Sequence, residues 1–246
     1  MRALDAAPAP RAGPAALPRP GGGVSELRYL LMGRVIPAVL YALLGFGVVE
    51  HAAWLAGHLA PVNWLTVIGG PIRESIFGAF CLIPVVLFVV RPKPKVADGR
   101  VLPRLVAFAG TAILLILGTG IPDGMRLVSI PGWVGSVASL VLAVVTAGAV
   151  WGLLTLRLSF GIFPAARRLV TGGPYRLVRH PLYLCEIAAA LAMLVSDGHL
   201  VPLVVVAVFV VLQVTRIRYE ENLLRDTFPA WREWAAGRAR LIPGVW

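Results

Sequence analysis

The chain has 246 residues, of which 58% are hydrophobic and only 14% charged, whereas soluble domains carry charge on about a quarter of their positions. Its mean hydropathy is +0.82, and the apolar residues sit in uninterrupted blocks, which excludes an ordinary soluble protein and reads as an integral membrane one. The formal net charge of +11 would suit a nucleic-acid binder. Basic residues of membrane proteins gather on the cytoplasmic face, however, so membrane lipids and not nucleic acid are the expected partners.

Taken in chain order, residues 1–25 are Ala, Pro, Gly and Arg with almost nothing to bury, and read as a disordered tail. They contain no compact apolar region, so the first hydrophobic segment reads as an uncleaved span. Six spans follow, over Val35–Leu55, Ile72–Val90, Val101–Gly118, Gly132–Leu156, Leu182–Ser196 and Leu200–Arg216. The fold class is therefore all-α, a polytopic membrane helical bundle. It divides into a four-span region over residues 26–156 and a C-terminal region over 157–246. Asp197, Gly198 and His199 leave space only for a tight turn, so the last two spans form an antiparallel hairpin.

Orientation follows from the basic residues. With both termini cytoplasmic, 21 of the 23 Lys and Arg residues fall on the inner side, leaving Arg73 and Arg126 outside. That asymmetry fixes the topology. The high ratio of Arg to Lys and the abundance of Ala, Gly and Pro suggest a GC-rich bacterial genome, hence a bacterial inner membrane. Beyond Glu221 the tail reads as an amphipathic surface helix carrying Phe228, Trp231 and Trp234, with Pro229 starting a second helix. Cys81 and Cys185 lie inside apolar segments without CxxC spacing and read as packing residues. No metal site is expected. Glu50, His51, Arg73 and Glu74 lie at outer span ends and read as interfacial anchors or ion pairs. Glu186, one turn into the fifth span, is a costly carboxyl that either faces a ligand or pairs with a neighbouring helix.

Two polar segments flank the hairpin on the inner side, Gly172–Tyr183 (GGPYRLVRHPLY) and Arg216–Glu221 (RIRYEE). A hairpin returns the chain to the face it left, so both lie at one membrane depth. Pro181 suits the first turn of a helix, where its missing N–H is no loss. Arg179, His180 and the free N–H groups of that helix start then form a candidate site for a carboxylate or phosphate. The plain alternative is headgroup anchoring. In the second segment Arg216 with Glu220, and Glu221 with Arg225, are spaced i,i+4 and suit surface ion pairs. Two adjacent glutamates on a face that collects positive charge point instead to a bound cationic or polyhydroxylated group.

Together, GPYRLVRHPLYL and RIRYEENLL about 35 residues later resemble the isoprenylcysteine carboxyl methyltransferase and phospholipid methyltransferase superfamily. LRLSFGIFPAARRLVTGGPY, just before them, resembles its bacterial members. The resemblance covers roughly residues 150–246; the N-terminal half shares only its hydrophobic spans. It implies a membrane enzyme that uses S-adenosylmethionine at a cytosolic-face site around the last hairpin. Tyr175, Val178, Arg179, His180, Pro181 and Tyr183 would line the cofactor from one side, and Glu220 and Glu221 from the other. Arg216 or Arg218 would act as the catalytic residue that places the acceptor. One departure is that many relatives carry FGxxYxxY after the paired acids, where this chain reads TFPAWREW, with tryptophan in place of both tyrosines.

Methyl transfer from a sulfonium is an in-line displacement of a good leaving group, so orientation supplies most of the acceleration. A carboxylate or thiolate acceptor needs a cation to hold it and a dry pocket; an amine needs a base such as His180 or a glutamate. The acceptor is expected to be a lipid or small amphipathic molecule. Two other readings stand beside this one. The first is an NADPH-dependent membrane reductase of sterol-reductase-like architecture; the second is a non-catalytic membrane scaffold or transporter.

Overall fold

The computed structural model describes residues 26–58, 72–118, 131–197 and 200–246. The N-terminal tail and the turn residues Gly198 and His199 lie outside them. Within them the chain is helical but for its connecting segments and one short ladder. A short helix α1 (Glu26–Leu30) passes through a π turn (Leu31–Val35) into α2 (Ile36–His58). Then come α3 (Arg73–Val90), α4 (Val101–Gly118), α5 (Gly132–Leu156), α6 (Pro181–Asp197), α7 (Leu200–Thr227) and a final short α8 (Trp231–Ala236).

Local chemistry sets these ends. Arg91 precedes Pro92, which disfavours helical backbone at the residue before it, and Arg91 is extended at φ −67, ψ 144. Pro131 precedes α5, and Pro181 opens α6. The helix that carries the sixth expected span continues past Arg216 to Thr227. Its last residues, at about 1.5 Å each, carry Arg216–Glu221 on one continuous helix with the apolar stretch before them. A second unexpected feature is a ladder of β1 (Val96–Ala97) and β2 (Ala165–Ala166), antiparallel, with Val96 opposite Ala166. It ties the loop after α3 to the loop after α5.

Helices α2 and α3 pack side by side, as do α5 and α6, while α3 also meets α5 and α4 meets α7. Small residues make the close approaches possible, as is usual where lipid offers no hydrophobic drive between helices. A Cβ on Gly45 would fall 2.6 Å from Leu82 Cδ2 and 3.3 Å from Cys81 Cβ. On Gly148 it would fall 3.1 Å from Cys185 Sγ. Both cysteines are thus unpaired packing residues, as expected. An aromatic run of Tyr41, Phe88 and Phe160 joins α2, α3 and the loop after α5, with centroids 5.8 and 5.6 Å apart. At the other end Arg73 pairs with Glu74, and His51 Nδ1 lies 3.9 Å from Glu74 Oε2, matching the ion pairs expected there.

The outside is apolar. Leu43, Val86, Val144 and Val211 are each more than 60% exposed, a surface suited to acyl chains and not to water. Among the described residues Gly33–Trp54, Arg73–Val90 and Gly132–Ser159 are long and apolar enough to cross a bilayer, and Val101–Ile113 and Pro181–Val195 are shorter apolar helices. The protein is a mostly helical membrane protein.

Candidate functional site

The approach to the site begins where α5 ends. Arg157 adopts φ 48, and the chain leaves the helix through a 3-10 turn (Arg157–Ser159). A second 3-10 turn, Gly173–Arg176, presents Tyr175 inward. Gly173 sits at φ +54, and a Cβ there would meet Thr155 Oγ1 at 2.7 Å, so both backbone and space demand glycine. Tyr175 is 6% exposed. Burial, and then the Glu220 carboxylate, push its hydroxyl well above the ordinary phenol value.

The two polar segments meet. Tyr183 donates its hydroxyl to Glu220 Oε2 at 2.9 Å. Arg179 Nη1 donates to Glu221 Oε1 at 3.0 Å, and His180 Nε2 lies 3.3 Å from the same oxygen, a pairing that puts the proton on Nε2. Arg240, from the C-terminal tail, donates Nε to Glu221 Oε2 at 2.8 Å. Burial alone would raise the Glu221 carboxyl, but hydrogen bonds from His180, Arg240 and Arg179 outweigh it and hold the group down at about 2.

This arrangement corrects the expectation of a free anion site at the start of α6. The Arg179 and His180 N–H groups donate to the carbonyls of Ala239 and Arg240 at 2.9 and 3.0 Å. The anion that Arg179 and His180 hold is the chain's own Glu221. Among the described residues no i,i+4 ion pair forms here: Glu220 finds Tyr183 of α6, Glu221 finds Arg179 just before α6 and Arg240 in the tail, Arg216 bonds Gln213, and Arg225 bonds Asn222. Trp231, one of the tryptophans in place of tyrosine, lies under the Arg179 guanidinium, 5.7 Å from its ring centre. The tail thereby buttresses the site with an indole.

Beside this buttress opens a cleft whose polar lining is Tyr175, His180, Tyr183, Glu186, Arg216 and Glu220. Tyr41 of α2, Thr111 of α4 and the 159–165 segment complete it. Arg216 is buried; Nη1 donates to Gln213 Oε1 at 2.9 Å, Nη2 to the Ile162 carbonyl at 3.3 Å, and the guanidinium lies over the Tyr183 ring. Gln213 in turn donates to Glu186. Gly110 of α4 leaves room for this network, since a Cβ there would stand 3.2 Å from both Arg216 Cδ and Gln213 Oε1.

Of the residues singled out by sequence, Tyr175, His180, Tyr183, Arg216 and Glu220 line the cleft, as does Glu186. Val178, Arg179, Pro181 and Glu221 stand behind it; Val178 and Pro181 are buried, and Glu221 is fully engaged. Arg218 is exposed and does not line the cleft. Sequence reasoning missed Arg240, Gln213, Tyr41 and Thr111. Gln213 carried a signal, as an amide inside an apolar span three residues before Arg216. Arg240 carried none, because its role depends on the tail folding back. Among the described residues no group of three His, Cys, Asp or Glu side chains is placed to hold a metal ion.

Residues 130–226 match the model of the isoprenylcysteine carboxyl methyltransferase family. The resemblance carried by GPYRLVRHPLYL and RIRYEENLL is thus shown over that stretch, and it is one to a family of methyltransferases. The chain is also 34% identical over 76 residues to the cobalt-zinc-cadmium resistance protein CzcN of Cupriavidus metallidurans, over 30% of this chain and 35% of that protein. The chain therefore spans about a third of the length of that relative.

Proposed function

We propose that the protein is an integral membrane methyltransferase that uses S-adenosylmethionine to methylate a lipid-like or small amphipathic acceptor. The observation that carries this reading is the convergence of Tyr175, His180, Tyr183, Glu186, Arg216 and Glu220 on one cleft, all within the stretch that matches the family.

The residues present fit the cofactor. A carboxylate, a phenol, an imidazole and a guanidinium line one cleft together with the apolar Leu156, Phe160 and Leu182, which suits a molecule joining a flat base to a diol and a zwitterion. Tyr175, His180, Tyr183 and Glu220 would hold it. Val178, Arg179, Pro181 and Glu221 are positioning residues that fix the backbone around it. When bound, the cofactor supplies a methyl group on a positively charged sulfur, an already good leaving group.

The chain's own contribution is orientation and exclusion of water. Arg216, preorganised by Gln213 and the Ile162 carbonyl, holds a carboxylate or thiolate acceptor as a fixed cation. Glu186, on the same wall, takes the proton if the acceptor is an amine. Tyr41 and Thr111, from helices that face lipid elsewhere, favour entry of a lipophilic acceptor from the bilayer, with the cofactor entering from the cytosol. The proposed setting is six spans in a bacterial inner membrane with both termini cytoplasmic.

The test is incubation of membranes bearing the protein with cofactor labelled at its methyl group, followed by identification of the labelled product. Calorimetry of the purified protein with S-adenosylmethionine accompanies it. Labelled product in wild type, lost in His180→Ala and Glu220→Gln, supports the reading. No binding and no transfer, or transfer undiminished in both folded variants, overturns it.

A further inference from the structure

Separate from the cleft, three arginines from distant parts of the chain come together. Arg34 lies in the π turn before α2, Arg91 directly after α3, and Arg167 directly after β2. Arg91 is 3% exposed. Its Nη1 donates to the Phe160 carbonyl at 3.0 Å and its Nη2 to that of Gly33. Arg34 Nη2 donates to the Arg91 carbonyl at 2.6 Å, and Arg167 Nε to that of Pro92 at 3.3 Å. A Cβ on Gly161 would fall 2.9 Å from Arg91 Nη1 and 3.2 Å from Arg167 Nη1, so both guanidinium groups crowd the face of that glycine.

Backbone carbonyls satisfy some of these donors but bring no charge. Among the described residues none of the three arginines is ion-paired with a carboxylate. Arg167 meets the Tyr29 hydroxyl, while Arg34 Nε and Arg91 Nε are buried and lack a hydrogen-bond partner among the described residues. Buried donors are rarely left so, and three like charges in one desolvated nest repel one another. Burial, with Arg167 and Arg34 adding to it, pulls the Arg91 guanidinium down to about 9. One polyvalent oxyanion would offset this unpaired positive charge, and guanidinium forks match phosphate oxygens in shape.

We propose that Arg34, Arg91, Arg167 and Tyr29 form a binding site for a phosphate group, supplied by the headgroup of an anionic phospholipid. The neighbourhood favours a lipid over free phosphate. Leu31, Val35, Val89 and Val90, within three residues of Arg34 or Arg91, are all exposed large hydrophobics, an acyl-chain surface beside the cationic nest. Basic groups at the cytoplasmic headgroup level attract anionic lipids in the same way. The site also abuts the cleft: Arg91 grips the Phe160 carbonyl and Arg216 the Ile162 carbonyl, so Gly161 lies between the two sites.

The experiment uses the full-length protein, delipidated in a neutral detergent. Native mass spectrometry reads lipid retention, and thermal melting reads stabilisation by phosphatidylglycerol, phosphatidylcholine or inorganic phosphate. Phosphatidylglycerol is expected to be retained and to raise Tm, phosphatidylcholine much less. Arg34→Gln and Arg167→Gln should each weaken phosphatidylglycerol binding tenfold or more. Arg232→Gln, which removes an exposed arginine from α8, should leave it unchanged. If Arg34→Gln fails to fold, Arg167→Gln decides alone, since that side chain's contacts, with the Pro92 carbonyl and the Tyr29 hydroxyl, are confined to the site. Stabilisation by inorganic phosphate that the same variants abolish supports the site with free phosphate as its source. Absence of stabilisation by either in wild type, an effect undiminished in the folded variants, or equal loss in Arg232→Gln overturns the proposal.

Discussion

Arg240 and Glu221 stand 19 residues apart, and the Arg240 guanidinium reaches back to donate to the Glu221 carboxylate at 2.8 Å. With Arg179 on the other oxygen, this closes a ring from the start of α6 through α7 to the tail. A buried carboxylate so surrounded is costly to disturb, because removing one partner strands the rest.

The first prediction concerns pH. Glu221 has its folded value at about 2 against an ordinary value of 4.5. A depressed carboxyl contributes stability that is fully present above its unfolded value and is lost as pH falls through the folded one. Thermal melting of the purified protein should therefore show stability declining between about pH 4.5 and pH 2. In Arg240→Ala the decline should be smaller and should level off at a higher pH, since one of the depressing bonds is gone and the folded value lies nearer 4.5. A decline of the same size ending at the same pH in both would show that the bond contributes nothing.

Much of this was legible in the sequence. The charge-free run Gly132–Leu156 is the helix Gly132–Leu156, because apolar length and a preceding proline both act locally. The meeting of Tyr183 with Glu220 followed from a turn too short to do anything but reverse the chain. What could not be read was tertiary. Hydropathy ended the last span at Arg216, yet a helix does not stop where apolar residues stop, and α7 runs on to Thr227. The spacing of Glu221 and Arg225 suited a local pair worth about 0.3–0.5 kcal/mol. Three partners brought by folding won instead. Nothing near Arg240 or Tyr41 announced that either would lie at or beside the cleft.

The second prediction is structural. Gly173→Ala should destabilise the protein by about 1–2 kcal/mol, from the left-handed backbone and the contact with Thr155. Thr155→Ala should recover only part of this, because it relieves the contact and leaves the backbone at φ +54. Melting temperatures of the two single variants and the double variant measure both components. Full recovery in the double variant would show that backbone conformation plays no part.

The third prediction separates the paired acids. Glu220 faces the cleft with Tyr183 on one oxygen, whereas Glu221 is held from behind. Glu220→Gln should weaken binding of S-adenosylmethionine at least tenfold with a small change in Tm. Glu221→Gln should lower Tm by several degrees and weaken binding as a consequence. Tyr183→Phe should fall between wild type and Glu220→Gln in affinity. Calorimetry and melting on the same samples give the comparison, and equal profiles for the two glutamates would refute the distinction.

The last prediction chooses between the arginines. Arg216 is buried against the cleft, with one hydrogen bond to Gln213, one to the Ile162 carbonyl and its face on Tyr183. Arg218, two residues on, projects from another side of α7 and is exposed. A cation that orients an acceptor must reach it, and a fixed guanidinium does so without reorganising. Arg216→Lys keeps the charge but loses the planar fork, so it should lower kcat about a hundredfold while the protein still folds. Arg218→Gln should leave kcat and KM within about twofold, as removing an exposed charge away from the cleft changes little. The measurement is methyl transfer at saturating cofactor, with Tm as a control for folding. Loss of transfer in Arg218→Gln and retention in Arg216→Lys would reverse the assignment and place the acceptor outside the cleft.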